Sequence, residues 1–467
     1  MAYIPALIAI AGGLVIPLWK KKRNIYVFAV VMVSAVMSLI LCQQDWQGSA
    51  LEITRTFGIR FRVDEISRVF LRLIDVLWLL AILYAFEYMQ DEEHTGRFFL
   101  FYTVSFGVTQ LLAMAGNLFT MYLMYETLTM VTLPLVTHEE NMESLRAGVN
   151  YLKFTVGGAA MGLVALIVLG YYGAAGDFVP GGTAQSVPEE VARVVYTAAF
   201  IGFGAKAAIF PLCFWLPRAS VAPTPVTALL HAVAVVNAGV FACIRLTYDC
   251  FGAEKIAGSW SQTFLILLSV FTILYGAVQA VREHHLKRRL AWSTVYNLSY
   301  MLFSCLLLSR DGLTGALTHM VNHGVIKITL FFAAGVFMKK AGAEYVTDLR
   351  GIGKRMPRTV AMFAIGAVAL TGIPPLCGFI SKWEIVTAAA EAGGWVEWVG
   401  ITAVILSSVL ACVYLIEPAF EMIFLPGKNE TGRDPGWKML LPMALLCAGM
   451  LVLGILPVWR MFDLSMY

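Results

Sequence analysis

The residues of this chain that could do chemistry are charged side chains in apolar surroundings. Lys206 sits in VVYTAAFIGFGAKAAIFPLCFWLP, residues 194–217, a stretch too apolar for the surface helix of a soluble protein. A lysine at membrane depth costs roughly 3 kcal/mol on insertion scales, so it needs a partner, a hydrated cavity or a task. Five residues on, Pro211 removes a backbone donor and breaks or kinks the helix. A buried cation beside a broken helix is the local pattern of an ion path. Glu126 stands in the middle of LFTMYLMYETLTMVTLPL. A carboxylate there pairs with a cation or takes up a proton. Facing Lys206 it can act as a switch. Burial disfavours the charged lysine and a nearby carboxylate restores it, so withdrawing or protonating Glu126 releases the lysine's proton. The structural alternative is a fixed ion pair that locks two helices.

Further polar groups extend the line. His231, in TALLHAVAVVNAGVFACIR, is either a packed, hydrogen-bonded histidine or a relay group. Asn237, six residues later, can order water but carries no proton. His319, His323 and Lys327 recur at i, i+4 and i+8, which aligns them on one helical face. The two histidines have a metal-ligand spacing, but no HExxH glutamate and no third ligand accompany them. A hydrated proton path is expected there, and no metal. Lys382 and Glu384 follow Pro374-Pro375. Lys382 is expected to be the outlet-side counterpart of Lys206, against the alternative of a lysine reaching solvent at a helix end. Arg68, Arg72 and Arg245 lie near the ends of apolar runs and are expected to snorkel. Arg72 and Asp75 are spaced to pair, and Glu87, Glu417 and Glu421 rank lower. The run from Arg282 to Arg289 reads as a solvated positive loop with room for anionic lipid.

These groups must be carried by membrane-spanning helices. The 467 residues are 59% hydrophobic and only 14% charged, which is membrane-protein composition. The formal charge of +4 is too small to suggest nucleic acid. Apolar runs long enough to span number fourteen, at about 2–19, 24–42, 66–89, 98–115, 117–136, 147–172, 189–213, 223–248, 260–281, 291–309, 312–338, 358–380, 397–424 and 437–459. Between them, twenty lysines and arginines follow odd-numbered runs and seven follow even-numbered runs or end the chain. By the positive-inside rule both termini lie outside, and the first run is a spanning helix, not a removable signal. The expected fold is therefore an all-α polytopic membrane protein.

Two runs are interrupted. The seventh reads Lys206 to Pro211-Leu212-Cys213, and the twelfth reads Pro374-Pro375-Leu376-Cys377 to Lys382. They lie five runs apart, so a five-helix repeat returns with inverted topology, a transporter architecture. The eight cysteines include no CxxC pair and read as packing residues. No Walker A sequence, GxGxxG, GxSxG or CxxCH occurs, so neither a cofactor nor a redox centre is expected on this chain.

Three segments carry a resemblance. Gly202 to His231 reads GFGAKAAIFPLCFWLPRASVAPTPVTALLH, Asn322 to Gly335 reads NHGVIKITLFFAAG, and Gly372 to Ile385 reads GIPPLCGFISKWEI. With the stretch Thr54 to Phe70, they resemble the antiporter-like subunits of respiratory complex I, membrane-bound hydrogenases and Mrp-type cation/proton antiporters. The resemblance implies fourteen helices with two inverted five-helix repeats and breaks in helices seven and twelve. The expected division is residues 1–96 as an N-terminal three-helix segment, 97–259 and 260–426 as the repeats, and 427–467 as a C-terminal helix. It implies the glutamate–lysine pair at Glu126 and Lys206, the central relay at His231 and Lys327, and the terminal lysine at Lys382, with His319, His323, Asn237 and Glu384 in support.

The implied function is translocation of protons, or of sodium against protons, in a prokaryotic inner membrane. Redox work would be done by partners, preferentially hydrogenase-type, so the chain would be one subunit of an oxidoreductase complex. Expected partners are further antiporter-like membrane subunits and, indirectly, peripheral iron–sulfur or hydrogenase subunits. The alternatives are an Mrp-type antiporter without a redox partner and a scaffold that does not pump. Two residues depart from the pattern: the family's PxHxWLP histidine is Cys213, and a lysine common in the family is Asn237. The chain ends at Tyr467, which leaves no room for the long lateral helix of the largest complex I antiporter subunit.

Overall fold

The computed structural model describes residues 2–19, 22–53, 58–427, 432–456, 462 and 464. Lys20, Lys21, Arg55, Lys428 and Arg460 of the charge count lie outside the described residues, as do the first residues of the stretch beginning at Thr54. Among the described residues the chain is mostly helical, and nine helices are long and apolar enough to cross a membrane. They are Arg23–Leu41, Glu65–Tyr88, Leu118–Val136, Met142–Tyr171, Thr224–Phe251, Trp260–Arg282, Arg310–Ala341, Trp395–Phe424 and Trp437–Ile455. The other expected runs also carry helix but fall short. Ile4–Leu18 and Pro357–Thr371 are apolar and short, Glu189–Gly204 stops at its break, Leu286–Cys305 is long but more polar, and Thr95–Ala113, which carries Arg97 and Gln110, is not among the nine.

Helix starts follow local chemistry. Asp64, Asn117, Asn141, Ser259 and Ser309 each accept a hydrogen bond from a backbone N–H in the first turn. These N-caps satisfy donors that an apolar surrounding would leave orphaned. Burial sorts the helices into inner and outer. The most apolar stretch is wholly buried in Thr224–Phe251 and 94% buried in Arg310–Ala341, against 28% in Arg23–Leu41. The helices richest in the candidate residues are thus the innermost. Both Thr224–Phe251 and the helix beginning at Trp395 contain a π-helical turn, Leu246–Phe251 and Cys412–Ile416.

Two interruptions dominate the interior. Residues 205–214 separate Glu189–Gly204 from Trp215–Arg218, and residues 372–376 separate Pro357–Thr371 from Cys377–Ala392. Freed backbone groups in the first break find partners: Trp215 Nε1 donates to the Ala205 carbonyl at 2.8 Å, and Phe210 N–H donates to Thr272 Oγ1 at 3.1 Å. Beside each break a glycine on a packed helix permits close backbone approach. A Cβ on Gly239 would stand 2.4 Å from the Ala207 nitrogen, and one on Gly378 would stand 1.8 Å from the Ala369 oxygen.

Three expectations need correction here. The chain is not wholly α: Trp46–Glu52 and Gly58–Val63 pair as an antiparallel ribbon, and the alternating Ile59-Arg60-Phe61-Arg62-Val63 was its signal. Arg245 does not snorkel. It is fully buried and grips Asp64 through both terminal nitrogens at 2.8 and 2.5 Å, with Asp249 at 2.8 Å and Ser67 Oγ at 2.8 Å. Removing one partner of such a cluster strands a buried charge, so it ties Glu65–Tyr88 firmly to the inner helix. Arg72 and Asp75 do not pair either. Arg72 donates to the Cys42 carbonyl at 3.5 Å, while Asp75 accepts from Gln110 Nε2 at 2.7 Å.

Candidate functional site

Lys206 lies at the start of the first break and is fully buried. Its ammonium donates to the Tyr125 carbonyl and rests over the Tyr125 ring, 3.5 Å from the centroid. A cation over an aromatic face gains roughly 0.5–2 kcal/mol. Tyr125 is held in turn by its hydroxyl, which donates to the Phe203 carbonyl at 2.8 Å. Glu126, the next residue on Leu118–Val136, is half-buried. Its Oε1 is enclosed with no hydrogen-bond partner among the described residues. The expected ion pair with Lys206 is therefore not formed in this conformation, because the tyrosine carbonyl and ring take the amine. Glu126 remains near enough for its charge to act on Lys206.

The next groups sit on the two inner helices. His231 is fully buried; its Nε2 is 3.3 Å from Ser220 Oγ and its ring lies 4.7 Å from that of Phe331. Its Nδ1 has no partner among the described residues. Asn237 donates to the Ala232 carbonyl at 2.9 Å, and its own oxygen has no partner among the described residues. Lys327 donates to the Leu290 carbonyl at 2.8 Å and to Ser293 Oγ, both on Leu286–Cys305. Lys327 acts electrostatically on both His231 and His323. His323 is buried with neither ring nitrogen hydrogen-bonded among the described residues. His319 stacks 6.0 Å from it and bonds Ser381 Oγ at 2.9 Å and Asn297 Oδ1 at 3.2 Å. The i, i+4, i+8 spacing does bring these three residues onto one inward face.

Lys382 sits on Cys377–Ala392, 7% exposed, with three acceptors: the carbonyls of Leu370 and Thr371 at 2.8 and 2.9 Å and Ser408 Oγ at 2.9 Å. It does not reach solvent. It caps the preceding half-helix, where orphaned carbonyls favour a cation. Glu384 shares an open polar pocket with Asp311, Thr314, Thr387 and Glu391. Among the described residues, Lys206, Lys327 and Lys382 are held by carbonyls, hydroxyls and a ring.

Sequence reasoning missed two members of this surrounding. Tyr125 gave no separate signal, since its role depends on which helix faces Lys206. Lys287 was read as part of a solvated loop. Instead it is 4% exposed and donates to the Ala222 carbonyl at 3.0 Å. Arg289 is also buried and donates to the Tyr414 carbonyl at 3.2 Å, whereas Arg288 does meet a surface acid, Glu143, at 2.8 Å. Leu286–Arg289 is the first turn of a packed helix, and two of its three charges, Lys287 and Arg289, are buried.

A polytopic membrane protein with two broken helices and a buried line of lysines and histidines is the class that fold and site define. Residues 115–411 match the family described as NADH:quinone oxidoreductase/Mrp antiporter, TM, and residues 53–99 match NADH-Ubiquinone oxidoreductase (complex I), chain 5 N-terminus. The chain belongs to this family of antiporter-like membrane subunits. It is 30% identical to NADH-quinone oxidoreductase subunit N of Desulforudis audaxviator, over 97% of this chain and 94% of that one. It is also 30% identical to hydrogenase-4 component B of Escherichia coli, over 70% of this chain and 50% of that one. A chain of the archaeal membrane-bound sulfane sulfur reductase shares the fold, with a TM-score of 0.87 over 98% of this chain and 95% of that one at 22% identity.

Proposed function

We propose that this chain is the ion-translocating subunit of a redox-driven membrane complex, moving protons, or sodium against protons, along Glu126, Lys206, His231, Lys327 and Lys382. His319, His323, Asn237 and Glu384 support the path. The observation that carries the reading is the set of buried ammonium and imidazole groups on the two inner helices and at both breaks, with none of the relay lysines in contact with a carboxylate among the described residues. Buried charges without counter-ions are costly and find their use in transfer. Glu126 biases the charge of Lys206, and the lysine's release from Tyr125 is the switching step.

The proposed architecture is fourteen spanning helices with outer termini, in which 97–259 and 260–426 are inverted repeats between an N-terminal segment, 1–96, and a C-terminal helix, 427–467. Paired breaks and paired π-helical turns at corresponding places support the repeat. Hydrogenase-type partners are preferred, with iron–sulfur subunits contacted indirectly. The second reading is an Mrp-type antiporter with no redox partner, which the family description favours equally. Co-purified subunits with iron–sulfur motifs distinguish the two. Replacing Lys206 by alanine and measuring coupled ion transport in sealed vesicles tests the relay: undiminished transport would mean that the chain is a scaffold.

A further inference from the structure

Arg72 is used neither by the relay nor by an ion pair among the described residues. It lies about two turns into the helix Glu65–Tyr88. One turn nearer the helix start, Arg68 is neutralised by Glu65 and by Asp45 at 2.6 Å. Arg72 has no such partner. Among the described residues its hydrogen bond runs from Nη2 to the Cys42 carbonyl at 3.5 Å, beyond the usual N–H···O range of about 2.7–3.2 Å. Asp75, three residues on, is bound to Gln110 instead. Cys42 is the C-cap of Arg23–Leu41. The guanidinium is therefore drawn toward the level of a helix end while its stem stays among apolar side chains, as in a snorkelling arginine.

That stem lines a cleft of about 290 Å³ between three helices. Leu73 and Leu77 of Glu65–Tyr88, Val325 of Arg310–Ala341 and Leu453 of Trp437–Ile455 stand in its walls. Val76, also in the wall, is 47% exposed, so the cleft opens to the surface of the bundle. Apart from Arg72 the described lining is apolar throughout. One turn of helix, about 10 Å wide and 5.4 Å long, occupies on the order of 400 Å³. The cleft is thus too narrow for a partner's helix and has room for a flexible hydrocarbon chain. Basic pockets between membrane helices hold anionic lipid head groups, and a guanidinium meets a phosphate through two parallel hydrogen bonds. The same wall packs on the helix that carries the relay: a Cβ on Gly324, next to His323, would stand 3.1 Å from Leu73 Cδ1 and 3.2 Å from Leu77 Cδ1.

We propose that this cleft binds one anionic phospholipid, its phosphate on the Arg72 guanidinium and one acyl chain against Leu73, Leu77, Val325 and Leu453. The nearby acids Glu65 and Asp45 are already taken by Arg68, so nothing there receives the cation of a zwitterionic head group, and a net-negative lipid is preferred. The site stands apart from the ion path and does not depend on it.

The assembled membrane complex is purified in detergent, washed free of loosely held lipid and exposed to mixed micelles with equal phosphatidylglycerol and phosphatidylcholine. Retained lipid is counted by native mass spectrometry, and assembly is read by co-purification. The wild type is expected to keep phosphatidylglycerol over phosphatidylcholine. Arg72→Gln keeps a polar arm without the charge and should lose about fivefold of that preference. Leu453→Trp fills the cleft with the charge in place and should lower retention of both lipids. Undiminished preference in Arg72→Gln, or undiminished retention in Leu453→Trp, overturns the site. A wild type that keeps neither lipid does so too, the outcome expected if a protein segment fills the cleft. Should one substitution block assembly, the other decides alone.

Discussion

The two broken helices present a lysine each, but they hold it differently. In the first break the ammonium of Lys206 leaves its own helix and settles on the carbonyl and ring of Tyr125, a residue of a neighbouring helix. In the second, Lys382 turns back to the carbonyls of Leu370 and Thr371 that its own break has freed, and adds Ser408. Lys382 therefore serves the fold as well as any ion path: without it two carbonyls lose their donor. Lys206 caps nothing. Its carbonyl partner sits within a continuous helix, and Glu126 follows it with an oxygen unpartnered among the described residues. The difference teaches that a lysine free to leave its partner is the better switch, and one that completes a helix end is the better fixed waypoint.

This contrast can be broken in four ways. The largest effect is expected from Lys206→Ala, which should cut coupled transport by on the order of a hundredfold while the complex still assembles, since no backbone group depends on the amine. Transport assays paired with co-purification check both halves. Lys382→Ala should lower transport and also destabilise the chain by about 1–3 kcal/mol, because buried carbonyls are left unsatisfied; thermal unfolding of the purified complex reads this, and unchanged stability would erase the distinction. Tyr125→Leu keeps the carbonyl and removes the ring, so about 0.5–2 kcal/mol of hold on Lys206 is lost. The expected outcome is a shifted pH profile of transport at normal assembly. The smallest effect belongs to Ser408→Ala, roughly 1 kcal/mol of stability with transport retained.

Much of this was legible in the chain itself. The helical runs were readable because a span needs about 20 apolar residues, and among the described residues nine helices long and apolar enough to span lie within them; the strands Trp46–Glu52 and Gly58–Val63 were not expected. The inward face of His319, His323 and Lys327 was readable from helical periodicity alone. What was not legible depended on neighbours distant in sequence. Arg245 looked like a snorkelling end residue, yet its partner Asp64 lies 181 residues away. Lys287 looked solvated because its neighbours in sequence are charged, while its contacts in space are buried.

The amino-acid sequence by itself determined that this chain is a membrane protein with two interrupted helices and a few costly charges inside it, because apolar run length and proline placement are local properties. Only the tertiary structure decided which acceptor each buried charge takes. Tyr125 instead of Glu126 for Lys206, and the freed carbonyls for Lys382, follow from which helices pack together. A buried ammonium donates to whichever acceptor oxygen, or rests on whichever ring, the packing brings within reach, and no local pattern encodes that choice.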